Sequence, residues 1–155
     1  MDTYLIVKTV HILSSTILFG TGIGIAFFMF RSHFTANYDA KLYAIGNTVL
    51  ADYLFTLPAA IAQPATGIWL IWFAGYDAMS LWLAATYALY AIAAACWLPV
   101  VWIQFELKKL LRHSIDTATE LPARYHVLFR TWFLLGWPAF ISLFIIFLLM
   151  VMKPT

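Results

Sequence analysis

Residues 8–30 read KTVHILSSTILFGTGIGIAFFMF. The run is long and apolar enough to cross a hydrocarbon layer, which takes about 20 such residues in a helix. It nevertheless carries Lys8 and His11 one turn apart. Three more runs have the same character, so the four candidate spans are approximately 4–30, 49–73, 81–103 and 130–152. The first is too long, and lacks the small-residue cleavage pattern, to be expected as a removable signal peptide. The whole chain agrees with this reading: of 155 residues, 64% are hydrophobic and only 10% charged, far from the roughly half-apolar, quarter-charged average of soluble domains. The fold class that follows is an all-α membrane protein, a four-transmembrane-helix bundle forming one integral membrane domain over residues 1–155.

Each of the last three spans contains proline: Pro58 and Pro64, then Pro99, then Pro138. A proline inside a helix leaves a carbonyl one turn back without its donor, and lipid supplies none. These helices are therefore expected to kink and to turn the freed carbonyls toward neighbouring helices, hydroxyls or water.

Seven of the nine basic residues, Arg31, Lys41, Lys108, Lys109, Arg112, Arg124 and Arg130, fall in or beside the 31–48 and 104–129 connections, whereas only Lys8 and Lys153 fall near the termini. By the positive-inside rule both larger connections face the cytoplasm, which makes the bacterial inner membrane the expected location and both termini periplasmic. The segment QFELKKLLRHS, 104–114, continues the third helical pattern beyond the membrane with cations that suit anionic headgroups.

Few polar groups lie within the spans. His11 sits roughly 10 Å below the outer end of the first helix at ~1.5 Å per residue, and Lys8, His11 and Ser15 share a face. Gln63 reaches a comparable depth on the second span, with Thr66 a turn above it, and Tyr87, Tyr90 and Ser142 are close to that layer. Two readings of His11 are open. Imidazole, amide and hydroxyl groups commonly join membrane helices, so His11 can be a strut to Gln63 or a tyrosine. A neutral imidazole in a dry bundle is also a ligand for iron or copper, with Gln63, Tyr87 and Tyr90 lining the pocket. Lys8 is near enough to the surface to reach water.

No carboxylate is expected near the middle of a span. Asp52 and Glu106 are placed at the cytoplasmic ends, with Asp52 paired to Arg130 or another cation there, so a proton- or sodium-driven transporter is disfavoured. His33, His113 and His126 belong to the cytoplasmic side and are too far from His11 to share an iron with it. They are conceivable as a cluster but are read as solvated. Trp69, Trp72, Trp82 and Tyr76 at the outer interface, with Trp102 and Trp132 at the inner one, form the expected aromatic belts. Trp97 and Trp137, beside Pro99 and Pro138, either wall a flat cofactor or fill the core. Gly20 and Gly24 form a GxxxG pair that permits close helix approach, compatible with a homo-oligomer. No nucleotide loop, CxxC, c-type haem motif or HExxH occurs, and no domain is left over to bind nucleic acid.

The segments KTVHILSSTILFGTGIG, QPATGIWLIWFAGY, ACWLPVVWIQ and LPARYHVLFRTWFLLGWPAF resemble domain-of-unknown-function family 2269, small predicted inner-membrane proteins of bacteria, along essentially the whole chain. More distantly, the first-helix KxxH followed by small residues resembles CopD-type copper-resistance domains and HemJ-type protoporphyrinogen oxidases. The HemJ-type resemblance implies b-type haem on His11, the matching position, and hence electron transfer with a redox partner or a quinone-like, membrane-soluble substrate. The CopD-type resemblance implies copper held by His11 with Met79 or Cys96. A scaffold subunit in the lipid bilayer, with no cofactor, is the third reading.

Overall fold

The computed structural model describes residues 2–154. It is helical along its length: α1 (Thr3–Ser32), α2 (Tyr38–Ala51), a π-helical turn (Asp52–Thr56), α3 (Leu57–Ala74), α4 (Leu81–Asp116) and α5 (Ala123–Met152). Because the π turn joins α2 to α3 without a break, four helices are long and apolar enough to cross a membrane, Tyr38–Ala74 counting as one of them. The helices run well past the apolar stretches. Tyr38 to Thr48 and Ala123 to Phe129 are helical although they carry the charged residues expected of loops, leaving short connections at 33–37, 75–80 and 117–122.

Helix starts and stops follow the local chemistry. Asp2 and Asn37 cap α1 and α2, each side chain accepting from a backbone N–H of the first turn. Gly75, at φ 69°, closes α3 in the left-handed conformation that suits glycine. The end of α1 is closed from outside the helix. Lys41, buried on α2, donates from Nζ to the His33 carbonyl at 3.1 Å, placing a cation at a helix C-terminus.

The packing divides in two. α4 lies along α5 and α1 along α3, while α2 touches both α1 and α4 and so joins the pairs at the basic end of the bundle. The buried core gathers at that end, around Met29, Ile45, Ile103, Leu107, Leu111, Tyr125 and Phe129. Elsewhere large apolar side chains such as Ile12, Leu13, Ile68 and Phe144 face outward, as they do where lipid tails are the solvent. Arg124 pairs with Glu106 at 3.1 Å, fixing the start of α5 to α4. At the other end Lys153 Nζ donates to the Tyr76 hydroxyl at 2.6 Å.

Pro64 lies inside α3 and cannot donate to the carbonyl of Ala60. That carbonyl accepts from the Tyr90 hydroxyl of α4 at 2.5 Å. The bond links α3 to α4, helices that otherwise have little packing between them. Tyr90→Phe should cost about 1–2 kcal/mol of stability, since it leaves a carbonyl unsatisfied in a dry setting. Adding Pro64→Ala should recover much of that loss by restoring an intrahelical donor. Unfolding in mixed micelles would measure both, and strictly additive costs would show that the tyrosine does not serve the proline.

Candidate functional site

Two polar clusters lie within the spans. The first ties α1 to α3. His11 Nδ1 is 2.7 Å from Thr66 Oγ1, and that hydroxyl is itself 2.6 Å from the Ala62 carbonyl. The single hydroxyl proton goes to the carbonyl, which can only accept, so Nδ1 carries the ring proton and donates to Thr66. Gln63 Nε2 spends its two protons on the His11 carbonyl at 2.7 Å and on Ser14 Oγ at 2.6 Å. Against this layer α1 and α3 come close: a Cβ on Gly67 would stand 3.4 Å from His11 Cε1. Depth in the sequence places Gln63 level with His11 and Thr66 a turn above, and both are bonded to His11. The ring's partner is Thr66 and not the Gln63 amide, which bonds to backbone instead.

The second cluster lies in a cleft of about 690 Å³ between the helix pairs, within the size range of small-molecule sites. Its walls are the Leu18-to-Phe30 face of α1, the α4 stretch around Ala93 and Trp97, and Trp132, Phe133, Gly136 and Trp137 of α5. The lining is overwhelmingly apolar, and Asp52, Thr56, Gln104 and Tyr90 are its polar members. Asp52 is 4%, Thr56 4% and Gln104 2% exposed. Trp97 Nε1 reaches Asp52 Oδ1 at 3.5 Å, and the Thr56 and Gln104 side chains also stand beside the Asp52 carboxyl as donors, yet Asp52 Oδ2, Thr56 Oγ1 and Gln104 Oε1 make no bond of full hydrogen-bond geometry.

The π turn is what builds this cluster. Leu57 N–H bonds back to the Asp52 carbonyl, five residues earlier, directly ahead of Pro58, whose ring would meet the Leu54 carbonyl in a regular α-helix. The wider turn relieves that clash. It also leaves both Asp52 and Thr56 buried on the cleft side. Single π turns of this kind are frequent at functional sites.

Asp52 requires a correction to the sequence reading. Its helix runs on for 14 residues before it as α2, and it lines the cleft with Gln104 and Trp132, toward the basic end of the bundle. It does not pair with Arg130, which is exposed; among the described residues the one ion pair is Arg124–Glu106.

Of the other expected site residues, Tyr90 lines the cleft but Tyr87 is 44% exposed on the outside of α4. Neither His11 nor Gln63 lines it. A haem on His11 would need a flat void at Nε2. The large void instead adjoins a different stretch of α1 and contains no histidine, so the donors around it do not fit that group. Met79 is 80% exposed in the 75–80 connection, and among the described residues no three His, Cys, Asp or Glu side chains group as a metal site. Trp97 and Trp137, together with Trp132, border the cleft.

The family model described as "Predicted integral membrane protein (DUF2269)" matches residues 5–154. The chain belongs to the DUF2269 family. No curated protein and no solved structure matches it. The cleft therefore has to be read from its own chemistry.

Beyond the spans, His33 stacks on Phe129 with ring centroids 4.1 Å apart and lies 6.3 Å from His126. His113 is exposed and stands apart from this pair. Burial, then the charges of Lys41 and His126, hold the His33 pKa below the usual histidine value. Its folded-state pKa is thus below its unfolded one, so the stability it allows is present above about pH 6.5 and is lost as pH falls below it. Thermal unfolding in detergent should show stability declining from pH 7 to pH 5, with a shallower decline in His33→Phe. An equal slope in the variant would place the titration elsewhere.

Proposed function

We propose that this protein binds a membrane-soluble amphiphile in the cleft between its helix pairs. The observation that carries the reading is the wall of three deeply buried polar side chains, Asp52, Thr56 and Gln104, each with an unpartnered atom in an otherwise apolar cavity. A buried polar atom without a partner is costly, by about 1–3 kcal/mol each, and proteins rarely keep several in one place without use for them. A ligand with a long apolar body and a small polar head answers both parts of the lining.

The test fills the cleft without disturbing its walls. Gly22 and Gly136 both line it, and a Cβ at either meets nothing within 4 Å. Gly22→Leu with Gly136→Leu should preserve helicity and thermal stability. Cross-linking of a diazirine-bearing long-chain alcohol to Trp97 and Trp132 should fall several-fold. Labelling spread evenly over lipid-facing residues, and unchanged by the substitutions, would sink the proposal.

We also infer that the basic end faces the cytoplasm of a bacterial inner membrane, with both termini in the periplasm, on the strength of the seven cations gathered there. A cysteine replacing Met79 should react with a membrane-impermeant maleimide added to outer-membrane-permeabilised cells. One introduced at Thr119 should react only after the inner membrane is lysed. The opposite pattern would invert the topology.

A further inference from the structure

We propose that the cleft selects an amphiphile with a cationic, N–H-bearing head, an alkylammonium in chemical class, and that Asp52 is its counter-ion. The inference deepens the amphiphile reading and rests on it. Of the three atoms left without partners, Asp52 Oδ2 and Gln104 Oε1 are acceptors, and Thr56 Oγ1 can accept as well. A head that only accepts, such as a quinone carbonyl, would leave the two acceptors unmet. An ammonium brings three donors, one for each of these atoms.

Charge points the same way. No lysine, arginine or histidine is among the lining residues, so nothing positive in the cleft compensates the Asp52 carboxylate. An isolated charge in such surroundings is strongly disfavoured unless it is neutralised or paired. A cation arriving with its own apolar chain supplies the missing charge, and the chain covers the rest of the cleft. The walls contribute as well: Trp97, Trp132 and Trp137 border the cavity, and indole faces attract organic cations, the more so where water is scarce. Trp97, reaching Asp52 through Nε1, orients one carboxylate oxygen and leaves the other for the ligand.

A proton and an ammonium then compete for one carboxylate. Asp52 and Tyr90 are the titratable groups of the lining. Facing them, α1 presents only apolar side chains and glycine, α4 adds Trp97 and Gln104, and α5 adds Trp132 and Trp137. Lowering the pH should therefore displace the cation.

The experiment uses the full chain in nanodiscs of zwitterionic lipid, with radiolabelled dodecylamine and dodecanol as probes and empty nanodiscs as the partition control. Above the control, the amine should bind at least about tenfold more tightly than the alcohol, as charge-assisted hydrogen bonds are roughly twice as strong as neutral ones. Amine binding should weaken as pH falls while alcohol binding stays level. Asp52→Asn should bring the two probes close to parity. The pH series on the unaltered protein decides the matter should that variant fail to fold. Saturable binding of both probes with equal affinity and no pH dependence would overturn the cation assignment and leave the amphiphile site standing. Binding of neither above the control would overturn both.

Discussion

In hydrocarbon there is no water to satisfy a carbonyl that loses its helical donor, and the architecture of this bundle follows from how each such loss is met. Pro64 frees the Ala60 carbonyl, and Tyr90 answers from the neighbouring helix. That bond holds α4 near α3 where side-chain packing between the two is sparse. Pro58 has a different resolution, a π turn that moves the helix register by widening it. The first device sets the separation of the two helix pairs at the level of Tyr90, and the second turns Asp52 and Thr56 toward the gap between them. Two prolines thus account for a cavity and for the polar groups inside it.

The sequence reveals depth far better than it reveals direction. Hydropathy places four spans because their apolar runs are long, and counting residues from the ends puts Gln63 level with His11 and Thr66 a turn above, where the structure has both bonded to His11. Direction around the helix axis is hidden, since lipid and protein neighbours are both apolar and no contrast marks the inward face. Tyr87 and Tyr90 show the consequence. Three residues carry a helix about 300° round, and the remaining offset separates an outward ring from one that lines the cleft.

The surroundings of Asp52 are hidden for a related reason. The residues before it, YDAKLYAIGNTVLA, mix charges with apolar side chains, so the span looked as though it began near Val49. Their helix is held instead by contacts with α1 and α4 at the basic end, where Lys41 closes α1 and Ile45 enters the core. Tertiary packing extends the helix, and Asp52 lies buried beside the cleft without a cation as partner. A cue was nonetheless present in the sequence: Asp52, Thr56 and Pro58 together, polar residues at helical spacing just ahead of a proline that a regular turn would not accommodate.

The two polar clusters also differ in a way that separates support from function. Around His11 the hydrogen bonds close on themselves: Nδ1 donates to Thr66, Thr66 to Ala62, and the Gln63 amide to Ser14 and the backbone. Such a set joins helices and asks for nothing further. Around Asp52 the set is open, with three buried atoms unmet in a space large enough for a ligand. Stability alone would favour apolar replacements there, because unpaired polar groups cost more than well-packed hydrocarbon of the same shape. On the proposed reading a partner enters from the membrane, and since each unmet atom can accept, that partner brings the protons.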